Sequence, residues 1–299
     1  MHKIRPYVLP IAIVLGLLFH AWCGQLKVVV PYLIFSILLL NFAAVDVKKM
    51  RFTMMYVWLM LYQIVVSIRM YYLLKAFNVN EIVAQGILVG VICPVAASVV
   101  VISCMLGANR ETVTSYTIIG NLMVAVIAPL YFSFIGDRPN ISFWMSFLLI
   151  IKKIGVVIAL PFFVALIGQK FLPKVNDFLC KIKGSSFYIW AVALTIVIGQ
   201  TIDFMFLEGK DNVNAIIWLS VASVVFCVIQ FALGKFIGKK YGDIIAGGQL
   251  LGQKNTAMGI WMANTYLNPL SAIFPAMYAI WQNVFNSIQL WIHDKNKQQ

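Results

Sequence analysis

Two stretches of this chain carry residue types that invite chemistry. The first is Gly247-Gly248-Gln249-Leu250-Leu251-Gly252-Gln253-Lys254-Asn255-Thr256, where a lysine, two glutamines and an asparagine interrupt an apolar run. The second is Gly90-Val91-Ile92-Cys93-Pro94-Val95-Ala96-Ala97-Ser98. Its proline lacks a backbone donor and crowds the preceding turn, so a helix there is expected to break. A broken helix offers free amides to anions and free carbonyls to cations. The chemistry this implies is solute and ion binding. Acyl or prenyl transfer at membrane depth would call for a carboxylate pair or a His-Asp constellation. Here the carboxylates lie mostly in loops and His20 reads as isolated, so no enzyme is expected. The three histidines are too scattered for a metal cluster, the five cysteines show no CxxC spacing, and no nucleotide motif is present. No metal or cofactor is therefore expected.

The elements that position these residues are set by composition. Of 299 residues 62% are apolar and only 11% charged, and mean hydropathy is +0.91. Soluble domains run nearer half apolar and a quarter charged, so the solvent of this chain is a bilayer. The formal charge of +13 is then a topology signal rather than a mark of nucleic-acid binding. Ten apolar stretches are long enough to cross roughly 30 Å of hydrocarbon: 7–23, 28–45, 54–74, 82–106, 112–135, 141–167, 187–206, 213–234, 244–266 and 271–292. The first follows a basic start without a small-x-small cleavage site and reads as a retained helix. Lys152-Lys153 reads as the start of a shorter sixth span, Arg69 as a side chain reaching for the interface, and Asp203 as wetted. The amino terminus, the loops after spans 2, 4, 6 and 8 and the tail hold fifteen Lys or Arg; the opposite loops hold four. That asymmetry predicts a multi-pass protein of the cytoplasmic (inner) membrane with both termini cytoplasmic.

Ten spans with short loops permit two halves of five, and an odd number per half makes the halves inverted repeats. Gly86-x-x-x-Gly90 in span 4 and Gly248-x-x-x-Gly252 in span 9 occupy equivalent places, and each reads as a close helix-packing face. The expected fold is all-α and integral to the membrane, with broken helices 4 and 9 crossing.

At these residues the chain resembles the bile acid:sodium symporter family, within the wider group that includes the auxin efflux carriers. The resemblance rests on Leu88-Val89-Gly90-Val91-Ile92-Cys93-Pro94 with Ser98, on Gly252-Gln253-Lys254-Asn255, and on Trp281-Gln282-Asn283 in the last span. It implies panel helices 1 and 2 over residues 1–51, core helices 3–5 over 52–136, panel helices 6 and 7 over 137–211, and core helices 8–10 over 212–299. It implies a small organic anion, bile acid-like or a short carboxylate, bound between panel and core and carried by alternating access. Ser98, Lys254, Asn255, Gln282 and Asn283 are the expected substrate-binding residues.

The departures from the family pattern set the expected coupling. Where the family carries Glu-x-Gly-x-Gln-Asn in span 9, this chain aligns Leu250 with the glutamate and Lys254 with the glutamine, and Val99-Val100 fall where a Ser-Asn pair is expected. Gln63, Thr117 and Gln253 remain as candidates for an ion-coupling site, with Lys254 as its lysine substitute. A hard cation needs five or six oxygens, and a lysine ammonium ~3 Å from sodium would cost about 5 kcal/mol of repulsion at an effective dielectric near 20. The sequence therefore predicts the family fold without its sodium chemistry. Three routes stay open: Lys254 as a tethered cation partnered by Gln63 and backbone carbonyls, proton exchange at Lys254, or passive exchange. The bilayer is the expected environment, no nucleic-acid partner is expected, and the oligomeric state is open.

Overall fold

The computed structural model describes residues 5–96, 98–135, 142–208 and 212–296. Among these residues the chain is all α-helix with no β-strand, in keeping with an integral membrane protein. The polar segments Gly136–Asn140 and Gly209–Asp211 lie outside the described residues.

A helix or a pair of helices falls on each of the ten apolar stretches. The helices are α1 (Arg5–Leu18), α2 (His20–Gln25), α3 (Val30–Phe42), α4 (Met54–Ala76), α5 (Glu81–Ile92), α6 (Val99–Leu106), α7 (Arg110–Ile135), α8 (Phe143–Ile154), α9 (Leu160–Phe171), α10 (Pro173–Ile182), α11 (Ser186–Glu208), α12 (Val213–Lys240), α13 (Ile244–Gly252), α14 (Thr256–Tyr266) and α15 (Ile273–Asn296). Four segments of the described chain are long and apolar enough to cross a bilayer unaided: Met54–Ala76, Arg110–Ile135, Pro173–Gln200 and Val213–Lys240. The others fall short for identifiable reasons. Non-helical residues separate α5 from α6 and α13 from α14, and a π-turn at Gly155–Ala159 joins α8 to α9. Helix α15 has the length, but Gln282, Asn283, Asn286 and Ser287 form a buried polar face that lowers its hydropathy.

The sixth helical stretch does not begin at Lys152-Lys153, as the sequence suggested; α8 starts at Phe143 and passes through both lysines. Beyond α9, Pro173–Ile182 forms α10, opened by its proline at the first helical position.

The largest hydrophobic cluster draws on α4, α5, α7, α13 and α14 and also on α3, α6, α8 and α9, and a second one, between α5, α12 and α15, is built around Phe226, Phe231, Phe274 and Tyr278. Helix α11 lies against α1, α2 and α3, and α3 also packs on α9.

Glycines govern the closest approach, at the two expected pairs and at one further place. A Cβ on Gly86 would lie 2.3 Å from Leu219, and one on Gly90 would lie 2.0 Å from the Phe274 ring. Gly248 and Gly252 likewise accept the Lys235 stem and the Phe231 ring. These positions are sockets for side chains. Backbone meets backbone instead where Gly234-x-x-x-Gly238 of α12 faces Gly247 of α13: a Cβ on Gly247 would lie 2.3 Å from the Gly234 carbonyl oxygen and 2.6 Å from the Gly238 Cα. Backbone cannot swing aside as a side chain can. Gly247→Ala should therefore destabilise the protein by about 1–3 kcal/mol, read as a lowered apparent Tm in detergent. Gly168→Ala, whose Cβ would meet nothing within 4 Å, should leave the apparent Tm within a degree or raise it.

Candidate functional site

The site is built on two helix breaks that complete each other. Helix α5 stops at Ile92 because the residue before a proline is driven from the helical region; Cys93 sits at φ −47°, ψ 137°. The chain re-enters a helix at Val99. On the other side no proline acts. Helix α13, weakened by three glycines, ends at Gly252, and Gln253 is extended at φ −92°, ψ 116°. Asn255 then opens α14 by accepting the Met258 N–H at 3.1 Å.

The extended residues pair as a minimal antiparallel bridge between Val95 and Lys254. The Ala96 N–H donates to the Gln253 carbonyl at 3.2 Å, and the Asn255 N–H donates to the Pro94 carbonyl at 2.7 Å. The Cys93 thiol donates to the Asn255 carbonyl at 2.9 Å. Non-helical backbone at this depth is tolerated only where its polar groups are satisfied within the protein, and here each break satisfies the other.

Lys254 stands at the centre with 1% of its surface exposed. Its Nζ donates to the Val91 carbonyl at 3.0 Å. That carbonyl belongs to the last turn of α5, where carbonyls have no intrahelical donor and carry the negative end of the helix dipole. A side chain fixed to one broken helix thus sits on the negative end of the other. Gln282 of α15 holds the same residue by its backbone, with its Oε1 accepting the Lys254 N–H at 2.7 Å and its Nε2 donating to the Lys254 carbonyl at 3.1 Å. The Tyr278 hydroxyl donates to the Gly252 carbonyl at 2.8 Å. Ser98 donates to Gln253 Oε1 at 3.2 Å, Gln253 donates to Gln249 Oε1, and Gln249 donates to Gln289 Oε1 at 3.4 Å.

A cleft of about 590 Å³, counted to its open mouth, lies against this crossing. Ser98, Lys254, Asn255, Gln282 and Asn283 all line it. Val30, Ile34 and Ile37 of α3 and Trp190, Ala193 and Leu194 of α11 form the facing apolar wall. All five residues singled out for substrate binding are therefore brought together.

The residues singled out for ion coupling divide. Gln253 and Lys254 are at the crossing. Gln63 and Thr117 are fully buried on the contact between α4 and α7, where the Tyr116 hydroxyl donates to Gln63 Oε1 at 3.3 Å and the Thr117 hydroxyl donates to the Val113 carbonyl at 2.8 Å. The side-chain acceptor of Lys254 is the Val91 carbonyl, and the bond of Gln63 is with Tyr116. Val99, Val100 and Leu250 are wholly buried hydrocarbon.

Two contributors to the site escape a reading of the sequence, and so does one pair outside it. Cys93 and Tyr278 look like ordinary apolar filling, yet both bond the backbone of the breaks. The pair corrects an expectation: His20 is not isolated, because its Nδ1 lies 3.4 Å from Asp203 Oδ1 and its ring lies beside Phe206. Residues 183 apart in sequence carry no local signal of pairing. The pair is about one-third exposed and lines none of the cleft.

Gln282 is the most testable member of the site. Gln282→Leu keeps the volume but strips the Lys254 N–H and C=O of their partners, at a cost of about 1–3 kcal/mol for each buried group. A fall in apparent Tm of several degrees is expected, with Gln289→Leu, which loses a single 3.4 Å bond, falling by much less.

No curated protein matches the chain. The sequence profile of the SBF-like CPA transporter family matches residues 38–293, from within α3 to the last turns of α15, and so takes in both breaks and Gln282, with the cleft apart from its α3 wall. The chain belongs to that family of membrane transporters, which is related to the bile acid:sodium symporters.

Proposed function

We propose that this protein is a secondary transporter of an organic anion, a carboxylate held in the cleft beside the crossing, and that it works without sodium. The observation that carries the proposal is the Lys254 ammonium on the Val91 carbonyl at the crossing. A cation is needed there to offset the negative end of α5, and a covalently tethered one leaves no role for a metal ion. Val99, Val100 and Leu250 support the same reading, since none supplies an oxygen.

In this proposal helices α1–α3 and α8–α11 form a panel, α4–α7 and α12–α15 form a core, and the two rock against each other. The two five-span halves, α1–α7 and α8–α15, are the inverted repeats of a ten-span protein, and each gives two spans to the panel and three to the core. The antiparallel pairing of the breaks supports that symmetry, because inverted halves bring equivalent segments together head to tail. Basic loops assign both termini to the cytoplasm and the protein to the cytoplasmic membrane. The hydroxyl and amides of Ser98, Asn255, Gln282 and Asn283 receive the polar end of the solute, and α3 and α11 receive its hydrocarbon.

Uptake into proteoliposomes of labelled pyruvate, pantoate and taurocholate, each under an inwardly directed gradient of sodium or of choline, tests the reading. At least one solute should enter saturably, at rates that differ less than twofold between the two cations. Lys254→Gln should reduce that uptake tenfold or more. A tenfold dependence on sodium in the wild-type protein, or undiminished uptake by folded Lys254→Gln, would overturn it.

A further inference from the structure

A second cavity of about 730 Å³, likewise counted to its open mouth, lies on the same seam as the crossing cleft, nearer the end of the bundle that carries the basic loops. Three helices run from one to the other. Along α3 the lining passes from Ile37 to Asn41, along α11 from Trp190 to Phe187, and along α6 from Ser98 at its start to Val101 and Cys104. The two spaces are thus about one helical turn apart on shared walls.

The chemistry of the second cavity differs from the first. Arg110 lines it from the start of α7, and Lys183 lines it from the opposite wall, in the 3-10 turn before α11. Arg110 donates only from Nη1, to the Asn41 carbonyl at 3.3 Å and to Asn41 Oδ1 at 2.8 Å. That bond fixes the plane of the guanidinium and leaves Nη2 and Nε without partners among the described residues. Neither Arg110 nor Lys183 is in an ion pair among the described residues. Glu111, next to Arg110 in the chain, accepts the Asp46 N–H at 3.4 Å instead. Val101, Met105 and Phe187 supply an apolar wall.

We infer that this cavity is an oxyanion-binding site, formed between Arg110 and Lys183 on the cytoplasmic side of the seam. Two unneutralised cations facing one space, one a planar fork held in place, suit a phosphate or carboxylate group with a short apolar neighbour. Two sources share that chemistry: the headgroup of an anionic phospholipid, or a soluble anion on its way through the seam. The inference stands whether or not the crossing cleft carries an anion, because it concerns different residues and is read by binding.

Cys104 lines the cavity and reports on it. Cys23, Cys93 and Cys227 are buried, so in a Cys180→Ser background a small maleimide reads chiefly Cys104. The full-length protein in neutral detergent would be labelled alone, with phosphatidylglycerol, with phosphatidylcholine, and with millimolar pyruvate or inorganic phosphate. Labelling should slow threefold or more with phosphatidylglycerol or with a soluble anion, and not with phosphatidylcholine. Protection by the lipid alone assigns a headgroup site; protection by pyruvate or phosphate assigns a soluble-anion site. Lys183→Gln, whose exposed side chain has no hydrogen bond to lose, should abolish the protection, as should Arg110→Gln if it elutes as folded protein. Lys174→Gln, a cation of α10 outside the cavity, should leave it intact. Absence of protection by any of these anions, or protection that survives Lys183→Gln, would overturn the inference.

Discussion

Interrupting two helices inside a membrane creates backbone donors and acceptors where no water can satisfy them, and the architecture of this protein follows from how it meets that constraint. The two breaks are placed against each other, so that Ala96 bonds Gln253, Asn255 bonds Pro94, and Lys254 reaches across to the Val91 carbonyl. Neither break would be tolerable alone. Their mutual dependence ties residues near 94 to residues near 254, and α15 has to lie alongside to supply Gln282 and Tyr278. The glycine contact between α12 and α13 serves the same end, since α13 reaches the crossing only by lying almost backbone to backbone on α12.

The same residues serve the crossing and the cleft. Lys254 contributes its backbone to the bridge and its Nζ to the Val91 carbonyl at the end of α5. It lines the cleft together with Ser98, Asn255, Gln282 and Asn283, and Gln282 and Ser98 also bond the broken segment around it. In the proposed function Lys254 takes the place of a coupling ion and its neighbours receive the solute. One turn along the seam, the second cavity is lined by Arg110 and Lys183 with side chains of α3, α6 and α11.

Much of the fold was legible before any coordinates. Apolar stretches declare membrane helices because the cost of burying polar backbone in lipid leaves few alternatives, and Pro94 announces its break because it has no N–H to give. The break after Gly252 was legible only through company: three glycines and four polar residues that no lipid-facing helix would hold. The five cleft residues were found because amides and a lysine are expensive at that depth, which is a local property of each residue. Gln63 and Thr117 were proposed as ion partners on looser grounds, and their bonds are to neighbours on α4 and α7.

What the amino-acid sequence by itself determined is the solvent of the chain, its all-helical build and the places where helices must stop. These depend on transfer free energies and backbone sterics, which act residue by residue. What only the tertiary structure decided is who pairs with whom: Val91 for Lys254, Gly234 for Gly247, Asp203 for His20, and Asn41 for Arg110. Hydrogen bonds and close contacts act over a few ångströms. Partners more than ten residues apart in the chain leave no periodicity to read, and the folded backbone alone sets which of many similar side chains comes within reach.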